Sequence, residues 1–326
     1  MKNTILITAF SILFMACDTE KKSGTTPASL QSNYTITDIG LYPEGIDYDS
    51  KNEKFVFSSM YKGAVYVMST KGVTAVFATS PKLVLPTGVY TDEARNRLIV
   101  ANADLGISQK STSNSAGTIA TVSIFNLSSG ALIKEIELKN FTPSAGSCPN
   151  DIAVDNTGNI YITDSFSPNI YKIDGNYTAS LFATSNLFQP AANQFGLNGI
   201  VFHPDGYLLA VKTDDSKLFK ILLSNPAVIT EVKGIAFSAP DGIELDKNNN
   251  LVVVENGLGL GKTYTFSSKD NWASASKISE TAIGKDEFPT TAALASDGNV
   301  YVIHSKLGEL LAGDKTQSSY TIQKID

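Results

Sequence analysis

Apolar residues in this chain fall into short runs of about five to seven, broken by Asn, Gly, Asp and Pro. From residue 148 the order is CPNDIAVD, NTG, NIYITDS, SP, NIYKID, GN and TASLFAT, which reads as four strands rich in β-branched and aromatic residues. The same order runs from residue 43 as PEGIDYD, SKNE, KFVFSS, YKG, AVYVMS and VTAVFAT. It returns from residue 240 as PDGIELD, KNNN, LVVVEN, a glycine loop and TYTF. The 3.6-residue periodicity of an amphipathic helix is absent throughout.

The first strand of each unit carries a common motif. Its copies are YPEGIDYD from Tyr42, LPTGVYTD from Leu85, CPNDIAVD from Cys148, GLNGIVFH from Gly196, APDGIELD from Ala239 and FPTTAALA from Phe288. The Pro-equivalent positions are 43, 86, 149, 197, 240 and 289, a period of 43 to 63 residues. Such a period with four strands per unit predicts an all-β, six-bladed β-propeller of four-stranded antiparallel blades over residues 33–326. The polar stretch SQKSTSNSAG at 108–117 lengthens the second unit and is expected as a surface loop. NYTITDI at 33–39 precedes the first motif, where an outermost strand belongs. It is expected to join the C-terminal YTIQKI and close the last blade, removing an open sheet edge.

Just after the Pro-equivalent position stand Glu44, Thr87, Asn150, Asn198, Asp241 and Thr290. In a closed ring, equivalent positions converge on the axis. Glu44, Asn150, Asn198 and Asp241 would bring two carboxylates and two amide oxygens together, a hard-oxygen set suited to one divalent cation. Ca²⁺ heads the candidates, with Zn²⁺ or Mn²⁺ as alternatives. The competing reading is a wet channel in which these groups hydrogen-bond one another, but two facing acids would still need a cation.

Charge and composition narrow the class. Charged residues make up 18% of the chain, hydrophobic ones 42%, and the net charge is −6. No basic cluster occurs, so a nucleic-acid partner is not expected. Lys2 followed by an apolar stretch from Ile5 to Ala16 and then Cys17 resembles a bacterial lipoprotein signal, with Cys17 as the lipidated residue. Phe14 departs from the usual Leu of that signal, and an ordinary secretory signal with an incidental Cys is the alternative. The expected organisation is a signal peptide over 1–17, a tether over 18–32 and the propeller. The expected location is the cell envelope outside the cytoplasm, with the lipid anchor the sole membrane contact. A monomer is expected. Cys148 is the one cysteine left, which rules out an intrachain disulfide framework.

The ordered set PEG, PND, LNG and PDG resembles the senescence marker protein/gluconolactonase family that includes regucalcin, with paraoxonases and strictosidine synthase as relatives. The resemblance runs from about Tyr34 to the end. It implies that Glu44, Asn198 and Asp241 bind a divalent metal, that Asn150 faces metal or substrate, and that the activity is hydrolysis of lactones or related esters. Where sugar-lactonase members carry a sugar-gripping Arg, this chain has Cys148, which argues against gluconolactone. His203 and His304 are read as structural, since neither matches a paraoxonase-type dyad. The metal is expected to polarise the carbonyl, and Asp241 or Asp151 to activate water. Thr87, Thr290 and Lys212 join Asn150 as candidate substrate contacts. Asp214, Asp215 and Glu255 are candidates for the same face or for solvated rim charges. A non-catalytic binding propeller with a structural cation is the second reading. GLGLGK from Gly257 resembles a phosphate loop but lacks its first Gly and following helix, so it is expected to be a blade turn, as is DKNNN from Asp246.

Overall fold

The computed structural model describes residues 30–141 and 146–325. Six four-stranded antiparallel sheets stand around one axis. Their innermost strands are Pro43–Asp49, Leu85–Asp92, Pro149–Val154, Leu197–His203, Pro240–Leu245 and Pro289–Leu294, so the six motifs form the inner ring. The signal segment, Cys17 and most of the tether lie outside the described residues. Among the described residues no helix is long and apolar enough to cross a membrane.

Every inner strand breaks register at the motif, between Pro43 and Ile46 in the first blade and at the same place in the other five. The bulge re-aims the motif residue toward the axis. The next position must be small where neighbouring blades crowd. A Cβ on Gly88 would lie 2.6 Å from the Asn150 carbonyl oxygen, and one on Gly199 would lie 2.5 Å from that of Asp241. The motif Gly is therefore a packing requirement.

Closure is as the sequence predicts. Asn33–Thr37 pairs antiparallel with Ser319–Lys324, so the last blade joins both ends of the fold. Edge-to-face rings hold this blade to the first. The Phe55 ring centroid lies 5.5 Å from Tyr34 and 5.2 Å from Tyr301, and Tyr42 lies 5.8 Å from Tyr320. Tyr34 and Ile36 of the closing strand are buried.

Three features add detail that the sequence does not carry. The 108–117 stretch is a surface loop, as the sequence predicts, and it is also stapled to the body. Lys110 Nζ donates to the carbonyls of Gly63 at 2.6 Å and of Ser80 and Leu83 at 3.1 Å, and Ser108 Oγ donates to Val84 O at 2.6 Å. Trp272 is core, packed with Tyr207, Leu251 and Val232. A five-residue helix, Leu307–Leu311, follows the second strand of the last blade. One turn is too short to leave a periodic signal.

Candidate functional site

A cavity opens at the end of the axis where the inner strands begin. Its floor is the axial ring. Glu44, Thr87, Asn150, Asn198 and Asp241 all line it, so the structure brings the four candidate metal ligands and one of the two axial threonines to one place.

Three of the four ligands, Asn150, Asn198 and Asp241, are steered by the residue just after the second strand of their own blade. Asn150 Nδ2 donates to Ser165 Oγ at 2.9 Å, Asn198 Nδ2 to Thr213 Oγ1 at 3.1 Å, and Asn256 Nδ2 to Asp241 Oδ2 at 2.8 Å. Those supports are fixed in turn by one repeated backbone bond. The carbonyls of Cys148, Gly196 and Ala239 accept from the N–H groups of Ser165, Thr213 and Asn256. With its Nδ2 engaged, each Asn presents its carbonyl oxygen. Asn150 Oδ1 and Glu44 Oε2 are buried and have no hydrogen-bond partner.

Burial holds the Glu44 carboxyl well above the ordinary range, and the Asp241 and Asp151 carboxylates beside it add to the rise. Burial also raises Asp241, against hydrogen bonds from Asn256 and Asn198. Among the described residues no group of three or more His, Cys, Asp or Glu is arranged to hold a metal ion; the axial set is two carboxylates and two amides.

The remaining candidates separate. Thr87 Oγ1 donates to Pro149 O at 2.9 Å, and Thr290 Oγ1 to Glu44 O at 2.7 Å. The threonines thus stitch neighbouring blades, and Thr290 is fully buried and off the cavity wall. Asp151 lines the channel on the opposite side of the ring. Its oxygens accept from Ile152 N at 2.9 Å and Ile200 N at 3.1 Å, and burial lifts it to about 7. Lys212 does not line the cavity. Its buried ammonium is held by Asp214 at 2.6 Å and Asp215 at 3.3 Å, so the structure uses it to fix the loop ahead of the fourth motif. Asp214 Oδ2 accepts Ala191 N at 2.7 Å in that loop.

Glu255 is not a solvated rim charge, and it does not line the cavity. It is buried and accepts from Ser238 N and Oγ at 3.0 Å and from Tyr264 OH at 2.9 Å. Asp164 occupies the same place in the third blade. It accepts from Cys148 N at 2.9 Å and Tyr171 OH at 2.6 Å, which fixes the chain leading into Asn150. His203 lies at the far end of its inner strand, stacked on Tyr207 with centroids 4.5 Å apart. His304 is buried at the end of the second strand of the last blade, its Nδ1 3.4 Å from Glu287 Oε2, and it does not line the cavity. The 246–250 segment is a turn, with Asp246 Oδ1 accepting Asn248 N and Asn250 N at 2.8 Å.

Two sets of residues in the channel escaped the sequence reading. Below the ring, Asp47 and Glu244 line the channel with Asp151. They stand three places after Glu44 and Asp241, a repeat signal that could have found them. Burial, opposed by hydrogen bonds from Thr91 and Tyr48, places Asp47 at about 6; burial and the Asp47 charge hold Glu244 well above its ordinary value. Above the ring, the wall is apolar. Leu105 and Ile107 come from the start of the stapled loop, Leu258 from the glycine turn, Leu307 and Leu311 from the short helix, and Phe195 and Phe288 from the approaches to the fourth and sixth motifs.

Solved structures of similar shape share the architecture. The major allergen Mala s 1 of Malassezia sympodialis superposes with a TM-score of 0.71 at 21% identity, over 91% of this chain and 97% of that one. A gluconolactonase of Xanthomonas campestris gives 0.62 at 13% identity, over 90% and 89%. Virginiamycin B lyase of Staphylococcus aureus gives 0.58 at 14% identity, over 90% and 98%. At these identities the likeness speaks for the fold. No curated protein sequence matches the chain. Residues 42–275, well over half the chain, match the family model described as SMP-30/Gluconolactonase/LRE-like region, and the protein belongs to that family.

Proposed function

We propose that the protein is a divalent-metal-dependent hydrolase of lactones or related esters, with the axial ring as its active centre. The observation that carries this reading is the pair of buried, unpartnered oxygens, Glu44 Oε2 and Asn150 Oδ1, at equivalent repeat positions beside Asp241 and Asn198 in one cavity. Unpaired buried acceptors are costly, and a hard cation satisfies them together. Glu44, Asn150, Asn198 and Asp241 would hold the ion, with Ca²⁺ first and Zn²⁺ or Mn²⁺ as alternatives; when bound, it supplies Lewis-acid polarisation of the ester carbonyl.

The chain's own residues supply the rest. Ser165, Thr213 and Asn256 orient the ring donors, so little reorganisation is needed when a substrate arrives. Of the two candidate bases, Asp241 faces the cavity and Asp151 the channel beyond it. Asp241 would thus be the carboxylate within reach of water in the cavity, and as an ion ligand it would act only as a weak base. Hydrolysis forms the new acyl C–O bond to that water, breaks the ring ester bond and returns the proton to the leaving alkoxide.

Because no His, Lys or Arg lines the cavity, a non-catalytic binding propeller with a structural cation is the second reading. We further propose a monomer, anchored in the cell envelope by lipid on Cys17. Lactone hydrolysis by the purified protein, with Ca²⁺, Zn²⁺, Mn²⁺ or chelator, tests the main reading. Turnover that requires metal and vanishes in Asp241→Ala supports it. Tight metal binding without turnover favours the binding propeller.

A further inference from the structure

We infer that the ligand of this cavity is amphipathic: an oxygen-bearing head on the axial ring, and an unbranched alkyl or aryl arm against the wall above it. This rests on the lactone or ester reading of the same centre and narrows its substrate to apolar-substituted lactones and esters, in place of sugar lactones.

Polarity in the cavity is stratified. All its hydrogen-bonding side chains belong to the ring or its supports, Thr213 and Asn256. The wall above offers Ile107, Phe195, Leu258, Phe288 and Leu311, with Cys148 beside the ring. Several hydroxyls of a sugar would face this wall without partners, which costs free energy for each one desolvated. A hydrocarbon arm would replace water there favourably.

The wall is built to stay apolar and in place. Leu258 and Leu311 are 62% and 49% exposed in the free protein, an arrangement that awaits a covering apolar group. Leu258 is held by its N–H donating to Asn256 Oδ1 at 2.9 Å, the same Asn256 whose Nδ2 engages Asp241. Phe195 is braced by Phe166, with ring centroids 5.3 Å apart. Lys212, a candidate substrate contact from the sequence, does not line the cavity and is locked between Asp214 and Asp215. The wall also explains the glycine turn: a Cβ on Gly257 would lie 2.4 Å from the Phe288 ring, so glycine there lets two wall elements pack together.

The test uses the metal-loaded protein and a γ-lactone series from butyrolactone to decalactone, with D-glucono-δ-lactone as the polar comparison. Each substrate is measured for turnover and, in parallel, for binding by calorimetry. The same measurements follow on a Leu258→Ser/Leu311→Ser double variant, whose exposed positions leave the core intact; its melting temperature checks this. The inference expects kcat/KM to rise about fourfold per added methylene until the wall is covered. It also expects the double variant to flatten that rise. A flat series, or a preference for gluconolactone, overturns the inference and leaves the hydrolase standing. No turnover of any lactone defeats the hydrolase, and binding then decides: affinity that climbs with chain length and is flattened in the variant upholds the apolar wall, and flat or absent binding overturns it.

Discussion

Asn256 donates from Nδ2 to Asp241 Oδ2 at 2.8 Å and accepts Leu258 N at 2.9 Å on Oδ1. One amide thus ties a carboxylate of the axial ring to the apolar wall above it. The link follows a repeat rule, since Asn150–Ser165 and Asn198–Thr213 are the same pair of positions in their blades. Replacing a group that orients a metal ligand typically lowers affinity about 10- to 100-fold. Asn256→Ala is expected to weaken divalent-cation affinity within that range while the metal-free melting temperature changes little. Chelator competition measures it.

The lower channel predicts how stability depends on pH. Asp47 lies at about 6 and Glu244 well above its ordinary value, chiefly because burial disfavours their charged forms. In the unfolded chain both titrate near 4, so between about pH 4 and pH 7 the native state binds more protons. Their contribution is complete below the unfolded values and is lost as pH rises through the folded ones. The melting temperature of the metal-free protein is expected to fall over that interval. Asp47→Asn should remove on the order of 2 kcal/mol of that pH-dependent loss. A thermal-shift series from pH 4.5 to 7.5 on both proteins reads the difference.

Crowding at the axis gives a third prediction. Gly199→Ala would force a Cβ to 2.5 Å from the Asp241 carbonyl and 2.7 Å from Ile243 N, whereas a Cβ at Gly175 meets nothing within 4 Å. Overpacking of this kind costs roughly 1–3 kcal/mol, or more when the opposing atom is backbone. Urea denaturation is expected to show that loss for Gly199→Ala and almost none for Gly175→Ala.

Closure can be tested by removing its apolar contribution. Tyr34 and Ile36 are both buried in the closing strand, and Tyr34 packs on Phe55 of the first blade. Tyr34→Ala is expected to destabilise by about 3–5 kcal/mol, in the manner of other buried aromatics. Hydrogen exchange should show the protection of Asn33–Thr37 and Ser319–Lys324 lost together.

Much of this molecule was legible because a propeller repeats its physics. Pro43, Pro149 and Pro240 each start an inner strand, and glycine after the ring donor is demanded where a Cβ would meet the next blade's backbone, as at Gly88 and Gly199. Equivalent positions therefore announced the ring. The supports Ser165, Thr213 and Asn256 were equally regular, but they become visible only once the pairing of first and second strands is known. The apolar wall was not legible. Ile107, Phe195, Leu258 and Leu311 lie in connections of unequal length with no common pattern, and tertiary position alone brings them together. Lys212 read as a substrate contact and Glu255 as a contact or rim charge because a sequence does not reveal that Asp214, Asp215, Ser238 and Tyr264 surround them.

The central claim is that four oxygen donors on the axis hold one divalent cation. The direct measurement is calorimetric titration of chelator-treated protein with Ca²⁺, Zn²⁺ and Mn²⁺, alongside Glu44→Gln and Asp241→Asn, which keep shape and remove charge. The account predicts one site per chain in the wild type, and an affinity at least about tenfold weaker in each variant. Equal affinity in all three proteins, or no binding in the wild type, would contradict it.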